Sequence, residues 1–163
     1  MDKQQIGIIG KHILIANLIA ADLEVAEPLR DRGIDLIVFR DGSDGGKFIA
    51  CPIQLKTATD ETFGLNEKYL RFPNLRIVHV WHALVPARAQ IFALSYEEAL
   101  SLLVEMKYSE SPSWKNDRSY TTTKPSKDLK GAMERFLVKS PDEWPRRLGM
   151  EESTVASQVP RHF

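Results

Sequence analysis

The alternation of apolar and polar residues predicts one helix followed by several strands in the first half of the chain. Residues 6–22 contain no proline and place apolar side chains at helical spacing, which indicates a largely buried helix. Short runs rich in β-branched residues then predict strands at 23–29, 34–39, 48–57, 75–81 and 89–94. Between the second and third strands, residues 41–46 are glycine and aspartate apart from one serine, which predicts a hairpin turn.

The second half of the chain predicts helices separated by a long loop. Ser95 and Glu98 have the spacing of a capping box, so we expect a helix from there to about Tyr108. Residues 58–73 and 110–125 predict irregular structure, the latter as a long unpacked loop. A surface helix is predicted over 127–138, another after Ser140, and a frayed tail from Glu151.

These elements predict an α/β fold, in which helices flank a mixed central β-sheet and a helical segment is appended at the carboxy terminus. With 163 residues, of which 43% are hydrophobic, the chain can bury one substantial core. We therefore expect one domain, with an αβ core over residues 1–108. Residues 109–163 are expected to pack on that core or extend it.

The charge balance and the cysteine count limit which functions and which cellular setting we expect. The 22 basic and 22 acidic residues cancel, so a nucleic-acid surface would have to be a local patch. The single cysteine and the absence of a signal pattern lead us to expect a reducing, cytoplasmic setting. The longest apolar stretch, residues 13–21, is too short to span a membrane, which needs about 20 apolar residues.

Three polar residues in the predicted hairpin could carry chemistry. Asp35 lies just inside the second predicted strand, and Gln54 and Lys56 share one face of the third because side chains alternate along a strand. If the three converge, a carboxylate, an amide oxygen and an ammonium group could together hold Mg²⁺ and a phosphate. Such a site suits phosphodiester hydrolysis.

At these positions the sequence resembles the PD-(D/E)XK nuclease superfamily. The resemblance lies in Gly33-Ile34-Asp35-Leu36 and in Ile53-Gln54-Leu55-Lys56-Thr57, which match an acid followed by E-x-K or Q-x-K. It extends to the opening helix around Gly10 and to Phe63, Lys68 and Tyr69, and so covers about the first half of the chain. It implies a restriction-endonuclease-like core of helix, three strands, helix and strand, similar to that of small bacterial members.

The resemblance also implies roles for individual residues. Asp35 and Gln54 would bind Mg²⁺ or Mn²⁺, Lys56 would position water or offset charge on the phosphate, and DNA, or alternatively RNA, would be the substrate. Many nucleases of this superfamily act as dimers, so a homodimer is also expected. The chain departs from the pattern in having Lys11 where relatives commonly have glutamate, and the amide Gln54 in place of the motif acid. Lys11 then becomes a candidate phosphate contact, and weak metal binding or loss of catalysis becomes an alternative.

Two other interpretations are open on the sequence. Asp35 could cap a turn while Gln54 and Lys56 form the solvent face of an edge hairpin. The chain could also be a nucleic-acid-binding module without catalysis, or an assembly protein that uses exposed Trp114 and Trp144 as contact anchors.

A local excess of basic residues lies in the carboxy-terminal half. Residues 114–147 contain nine basic and five acidic side chains, interleaved with aromatic and hydroxyl groups. This pattern predicts a surface that follows a phosphate backbone, although an ordinary solvated helical face would look the same. The predicted nucleic-acid contacts are Lys115, Arg118, Lys124, Lys127 and Lys130.

The two histidines near the end of the predicted strand 75–81 and the single cysteine are expected to have structural roles. His79 and His82 would lie on opposite faces of one strand, which excludes a shared metal. Cys51 has no partner at ligand spacing, so we expect a small buried hydrophobic residue.

Overall fold

The fold is mixed α/β, with a five-stranded mixed sheet flanked by helices. The structure, a computed structural model, describes residues 2–42 and 45–151. Within those residues, no helix combines the length and the apolar character needed to cross a membrane. The predicted frayed tail lies outside the described residues from position 152 onward.

Helix α1 (Lys3–Ile19) opens the chain and packs on the sheet. It begins earlier than predicted because Asp2 caps it: the Asp2 carboxylate accepts the Gln5 N–H at 2.8 Å, and the Gln5 side chain accepts the Asp2 N–H at 3.0 Å. Gly10 is buried in the middle of the helix, directly against Thr57. The absence of a side chain at Gly10 allows the helix to approach the sheet closely.

The described part of the chain contains seven strands. They are β1 (Glu24–Ala26), β2 (Leu36–Arg40), β3 (Ile49–Thr57), β4 (Phe63–Asn66), β5 (Arg76–Trp81), β6 (Gln90–Ser95) and β7 (Ser119–Thr122). The main sheet has the order β1-β2-β3-β5-β6, in which β3 and β5 are parallel and all other neighbours are antiparallel. The predicted hairpin is confirmed, with Leu36 opposite Ile53 and Arg40 opposite Ile49.

Strands β4 and β7 pair with each other and form a separate antiparallel ribbon. Their segments were both predicted to be irregular, and that prediction is wrong. Residues 58–73 contain β4 and a 3₁₀ helix (Glu67–Arg71), and residues 110–125 contain a helix and β7. Each strand has only four residues, which leaves too short a pattern to recognise without its partner.

The remaining helices are α2 (Tyr96–Glu105), α3 (Pro112–Asp117), α4 (Lys127–Met133) and α5 (Trp144–Arg147). The capping box of α2 is confirmed, since Ser95 and Glu98 each accept the other's backbone N–H. The predicted helix 127–138 is shorter than expected and continues as a 3₁₀ turn (Glu134–Phe136). The helix expected after Ser140 starts with a 3₁₀ turn, and the Ser140 side chain makes no capping bond.

The sheet separates two hydrophobic clusters. One face packs Leu14 and Leu18 of α1 and Trp144 of α5 against the sheet, whereas the other packs α2, α4 and the β4–β7 ribbon. Trp114 and Trp144 are 3% and 0% exposed, so the prediction of exposed contact anchors is wrong. Residues beyond 108 therefore complete the core on both faces of the sheet.

Candidate active site

Asp35 immediately precedes β2 and was wrongly predicted to lie inside that strand. Its backbone N–H still donates to the Ile53 carbonyl at 2.8 Å, so the antiparallel pairing continues to this position. The Asp35 carboxylate accepts the Leu55 N–H at 2.6 Å and the Gln54 side-chain amide at 2.5 Å. The two predicted metal ligands are therefore in direct contact, Asp35 just before the start of β2 and Gln54 within β3.

The pKa of the Asp35 carboxyl is raised above its usual value, although lysines lie nearby. Burial raises the pKa of the Asp35 carboxyl, and the bond from the Leu55 N–H opposes that shift. The charge of Asp31 raises the pKa further, whereas Lys11 and Lys56 lower it. Asp35 is thus a partly desolvated carboxylate within the electrostatic reach of two ammonium groups.

Lys56 lies on the same face of β3 as Gln54, the face away from α1, where the β4–β7 ribbon covers it. Its Nζ lies 5.4 Å from the centroid of the Tyr69 ring, and in the parallel register it is opposite His79. Lys56 is half-buried, and β3 lies between β2 and β5. The pairing with β2 ends at Ile53, so in the described chain Gln54 and Lys56 pair only with β5, and both side chains are half-buried, not fully solvated.

Asp35 lines a cleft of about 600 Å³ beside the amino-terminal half of α1. Lys3, Lys11, Asp31 and Thr57 also line it. The Lys11 ammonium group forms an ion pair with Glu27 at 3.2 Å at the same time. The structure thus brings Lys11 and Asp35 to one cleft, where a phosphate group could meet both.

The oxygen ligands near Asp35 are a minimal set for binding a hard divalent cation. The Asp35 carboxylate and the Gln54 amide oxygen, once the amide is turned, are ligands that Mg²⁺ and Mn²⁺ accept, and the Leu55 carbonyl lies 3.4 Å from the Gln54 nitrogen. Among the described residues, no group of three or more histidines, cysteines or acids could hold a metal ion. Since Mg²⁺ is commonly held by one or two carboxylates plus phosphate and water, the substrate would have to supply further ligands.

Scans against protein-family models, curated proteins and solved structures found no match for this chain.

The five predicted contacts in the carboxy-terminal half do not form one surface of free cations. Arg118 pairs with Glu67 at 3.1 Å, and Lys130 pairs with Glu61 at 3.2 Å. Lys124 lines a second cleft, which shares Lys3 and Thr57 with the cleft at Asp35. Lys115 and Lys127 are exposed on α3 and α4. The structure brings Lys124 toward the candidate site and neutralises two of the others.

His82 lies outside β5, so it and His79 do not occupy opposite faces of one strand as predicted. His79 is fully buried and stacks on Phe63 at a centroid distance of 5.7 Å, and burial, reinforced by Lys56, lowers its pKa to about 3. His82 follows the end of β5 and lies 4.0 Å from Glu61. Cys51 is 1% exposed, and burial raises its pKa to about 11, so this thiol is not a nucleophile.

Sequence reasoning gave no role to two residues that border the site. Lys3 lines both clefts, and the Tyr69 ring lies against the Lys56 ammonium group. Tyr69 belongs to the segment predicted to be irregular, and only the resemblance drew attention to it. The available signal that this segment is structured was the aromatic and apolar pair Tyr69 and Leu70, which directly follows Lys68.

Proposed function

We propose that the chain is a metal-dependent nuclease of the PD-(D/E)XK type that hydrolyses phosphodiester bonds, with DNA as the first substrate to test. The observation that carries this proposal is the contact between the Asp35 carboxylate, just before β2, and the Gln54 amide, within β3. Lys56 follows two residues later on the same face of β3, and its charge acts on the Asp35 carboxyl, although Gln54 and Lys56 do not line the cleft that Asp35 shares with Lys11.

The strand arrangement supports a restriction-endonuclease-like core. A long helix is followed by three antiparallel strands, and the next strand of the sheet, β5, runs parallel to β3. The connection between β3 and β5 consists of β4 and a 3₁₀ helix in place of the α-helix that the resemblance implies. The proposal therefore includes a departure from the expected element order at this connection.

Each residue of the site would have its own role in hydrolysis. Asp35 and Gln54 would hold Mg²⁺ or Mn²⁺, and a bound ion of this kind supplies a lowered pKa for water and charge compensation on phosphate. Lys56 would orient the attacking water or offset the negative charge that develops on the phosphate oxygens. Lys11 would bind a phosphate at the mouth of the cleft once it leaves Glu27. A homodimer and a reducing cytoplasmic setting complete the proposal; the free, buried Cys51 supports the latter.

A second candidate function is nucleic-acid binding without cleavage. The observation in its favour is that Asp35 is accompanied by Gln54 and by Lys11, with no second carboxylate bonded to it in the part of the chain that the structure describes. This candidate predicts salt-sensitive binding that does not require Mg²⁺.

The test is incubation of the purified protein with labelled duplex and single-stranded DNA, with Mg²⁺, Mn²⁺ or a chelator. Asp35→Asn and Lys56→Met preserve side-chain size, and Asp117→Asn and Lys139→Met are matched controls at exposed positions. We expect metal-dependent cleavage that both site variants abolish and both controls retain. Cleavage that persists in Lys56→Met would refute the assignment of the site, and binding without cleavage in the wild type would favour the second candidate.

A further inference from the structure

Two ammonium groups converge on the ring of Tyr69. The Nζ of Lys56 lies 5.4 Å from the ring centroid and the Nζ of Lys68 lies 5.6 Å from it. Neither lysine forms an ion pair with a carboxylate of the described residues. Attraction to the ring offsets part of the repulsion between the two like charges, and an anion bound between them would offset it more fully.

Two arginines extend this group along the surface toward Asp35. Lys68 and Arg71 are three residues apart in the 3₁₀ helix (Glu67–Arg71), so they lie on the same side of it. The Arg71 guanidinium lies over Phe72 and donates to the carbonyl of Arg32, three residues before Asp35. We call Lys56, Lys68 and Arg71 the basic strip, which the exposed Arg32 adjoins through its backbone carbonyl.

The acidic residues nearest the basic strip in sequence are already engaged elsewhere. Glu67 accepts hydrogen bonds from Arg118 at 3.1 Å, and Asp31 accepts the backbone N–H of Gly33 at 3.0 Å. Lys68, Arg71 and Arg32 are exposed, and in the described chain none of them pairs with a carboxylate. The cations of the strip are thus available to an external anion, in contrast to Arg118 and Lys130.

We infer that the basic strip binds the phosphate backbone of the DNA on the side of the scissile bond that faces Tyr69. The inference rests on the proposed function for the identity of the substrate, and it replaces the carboxy-terminal half with the strip as the main electrostatic contact. Lys56 is the member of the basic strip nearest Gln54. A DNA backbone bound by Lys68 and Arg71 would therefore continue toward the candidate site. Arg71 also presents a planar guanidinium, which suits two-point contact with a phosphate.

The experiment measures the affinity of a fluorescein-labelled DNA duplex and of its single strand by anisotropy, in the presence of a chelator, across a series of salt concentrations. Lys68→Gln combined with Arg71→Gln removes two charges from the strip. Lys107→Gln combined with Lys139→Gln removes two charges from exposed positions elsewhere. A third pair, Lys115→Gln with Lys127→Gln, probes the carboxy-terminal surface, and circular dichroism verifies that all variants are folded.

We expect the strip variant to lose about two from the slope of log affinity against log salt, about one for each phosphate contact removed. The Lys107 and Lys139 pair should keep the wild-type slope. An unchanged slope in the folded strip variant, or an equal loss in the Lys115 and Lys127 pair, overturns the inference.

The outcome also separates this inference from the proposed function. Binding that the strip variant weakens, in a protein that never cleaves DNA, sustains the strip and rejects the nuclease. Cleavage by a protein whose strip variant binds normally rejects the strip and sustains the nuclease. A wild-type protein with no salt-dependent affinity for either form of DNA rejects the strip, and the cleavage assay with Mg²⁺ or Mn²⁺ then decides on the nuclease.

Discussion

The close contact between Gly10 and Thr57 determines how near α1 lies to β3, and so how near Lys11 lies to Asp35. A Cβ added at Gly10 would lie 2.3 Å from both Cγ2 and Oγ1 of Thr57. Attractive contacts between carbon atoms are about 3.5–4.0 Å long, so Gly10→Ala creates an overlap of more than about 1 Å. Thr57 is β-branched and stiff at its first side-chain torsion, so the helix must move away from the sheet.

The magnitude follows from two opposing terms. Overpacking of a well-packed contact costs about 1–3 kcal/mol, whereas alanine in place of glycine inside a helix gains about 1 kcal/mol. Gly7 lies on the same helix, and a Cβ at that position meets nothing within 4 Å. Gly7→Ala should therefore raise the free energy of unfolding by about 1 kcal/mol, and Gly10→Ala should lie about 1–3 kcal/mol below it.

The assay is urea denaturation followed by circular dichroism for the two glycine variants, for Thr57→Ala and for Gly10→Ala combined with Thr57→Ala. The double variant removes both atoms at 2.3 Å but keeps the Cβ of residue 57 at 2.9 Å, so it should recover part of the loss, which gives a measurable coupling energy. If Gly10→Ala proves as stable as Gly7→Ala, the close approach of α1 to β3 is refuted.

Three further predictions follow from buried groups. Asp35→Asn should abolish cleavage with little loss of stability at neutral pH. Burial raises the pKa of Asp35, so ionisation of this carboxyl lowers the free energy of unfolding as pH rises through that value. Urea titrations of both proteins at several pH values measure this, and a large loss of stability at neutral pH would contradict it. The pKa of His79 is lowered to about 3, so the unfolded chain takes up a proton that the folded chain refuses, and stability should fall by about 1.4 kcal/mol per pH unit from about pH 6.5 toward 3. His79→Phe should remove this pH dependence of the free energy of unfolding. If the dependence on pH is the same in the variant and the wild type, His79 is not fully buried. Trp144→Ala should lower the free energy of unfolding by about 3–5 kcal/mol, as measured by circular dichroism in urea, because the ring is fully buried against α1; a loss below about 1 kcal/mol would show that α5 does not belong to the core.

The sequence predicts the elements whose patterns are long or whose ends have specific chemistry. Helix α1, the β2–β3 hairpin, β5, β6 and the capped start of α2 were all expected within a few residues of their observed positions. Their signals are local, namely periodicity, β-branched runs, turn residues and the Ser95 capping box. The mixed sheet with helices on both faces follows from this part of the pattern.

The elements that escaped prediction depend on distant partners. The β4–β7 ribbon joins Phe63 to Thr122, and neither strand has an alternating pattern of its own. Trp114 and Trp144 lie in helices of six and four residues, too short for a helical pattern to show which side is buried. Both burials are produced by tertiary packing, which the local sequence does not encode.

The candidate site divides in the same way. The pairing of Asp35 with Gln54 could be expected because hairpin register and strand alternation are local rules, joined to a resemblance. The neutralisation of Arg118 and Lys130 could not, since their acidic partners are 51 and 69 residues away. The basic strip was missed for a similar reason, because a pair of cations three residues apart acquires meaning only when its 3₁₀ helix is placed beside Lys56.

The cost of the polar groups around β3 supports a site at this strand over a purely structural layer. In the described chain, Thr57 and His79 bury side-chain atoms that have no hydrogen-bond partner, and Asp35 is a carboxylate whose burial opposes its charge. Each unpaired buried group costs about 1–3 kcal/mol, so apolar residues at these positions would give a more stable sheet. His79 stays neutral at physiological pH and, stacked on Phe63, forms a flat wall beside Lys56 that adds no second positive charge. The fold thus gives up stability at Thr57 of β3, at His79 of β5 and at Asp35 beside β2, and such local conflicts are expected where side chains serve chemistry in addition to packing.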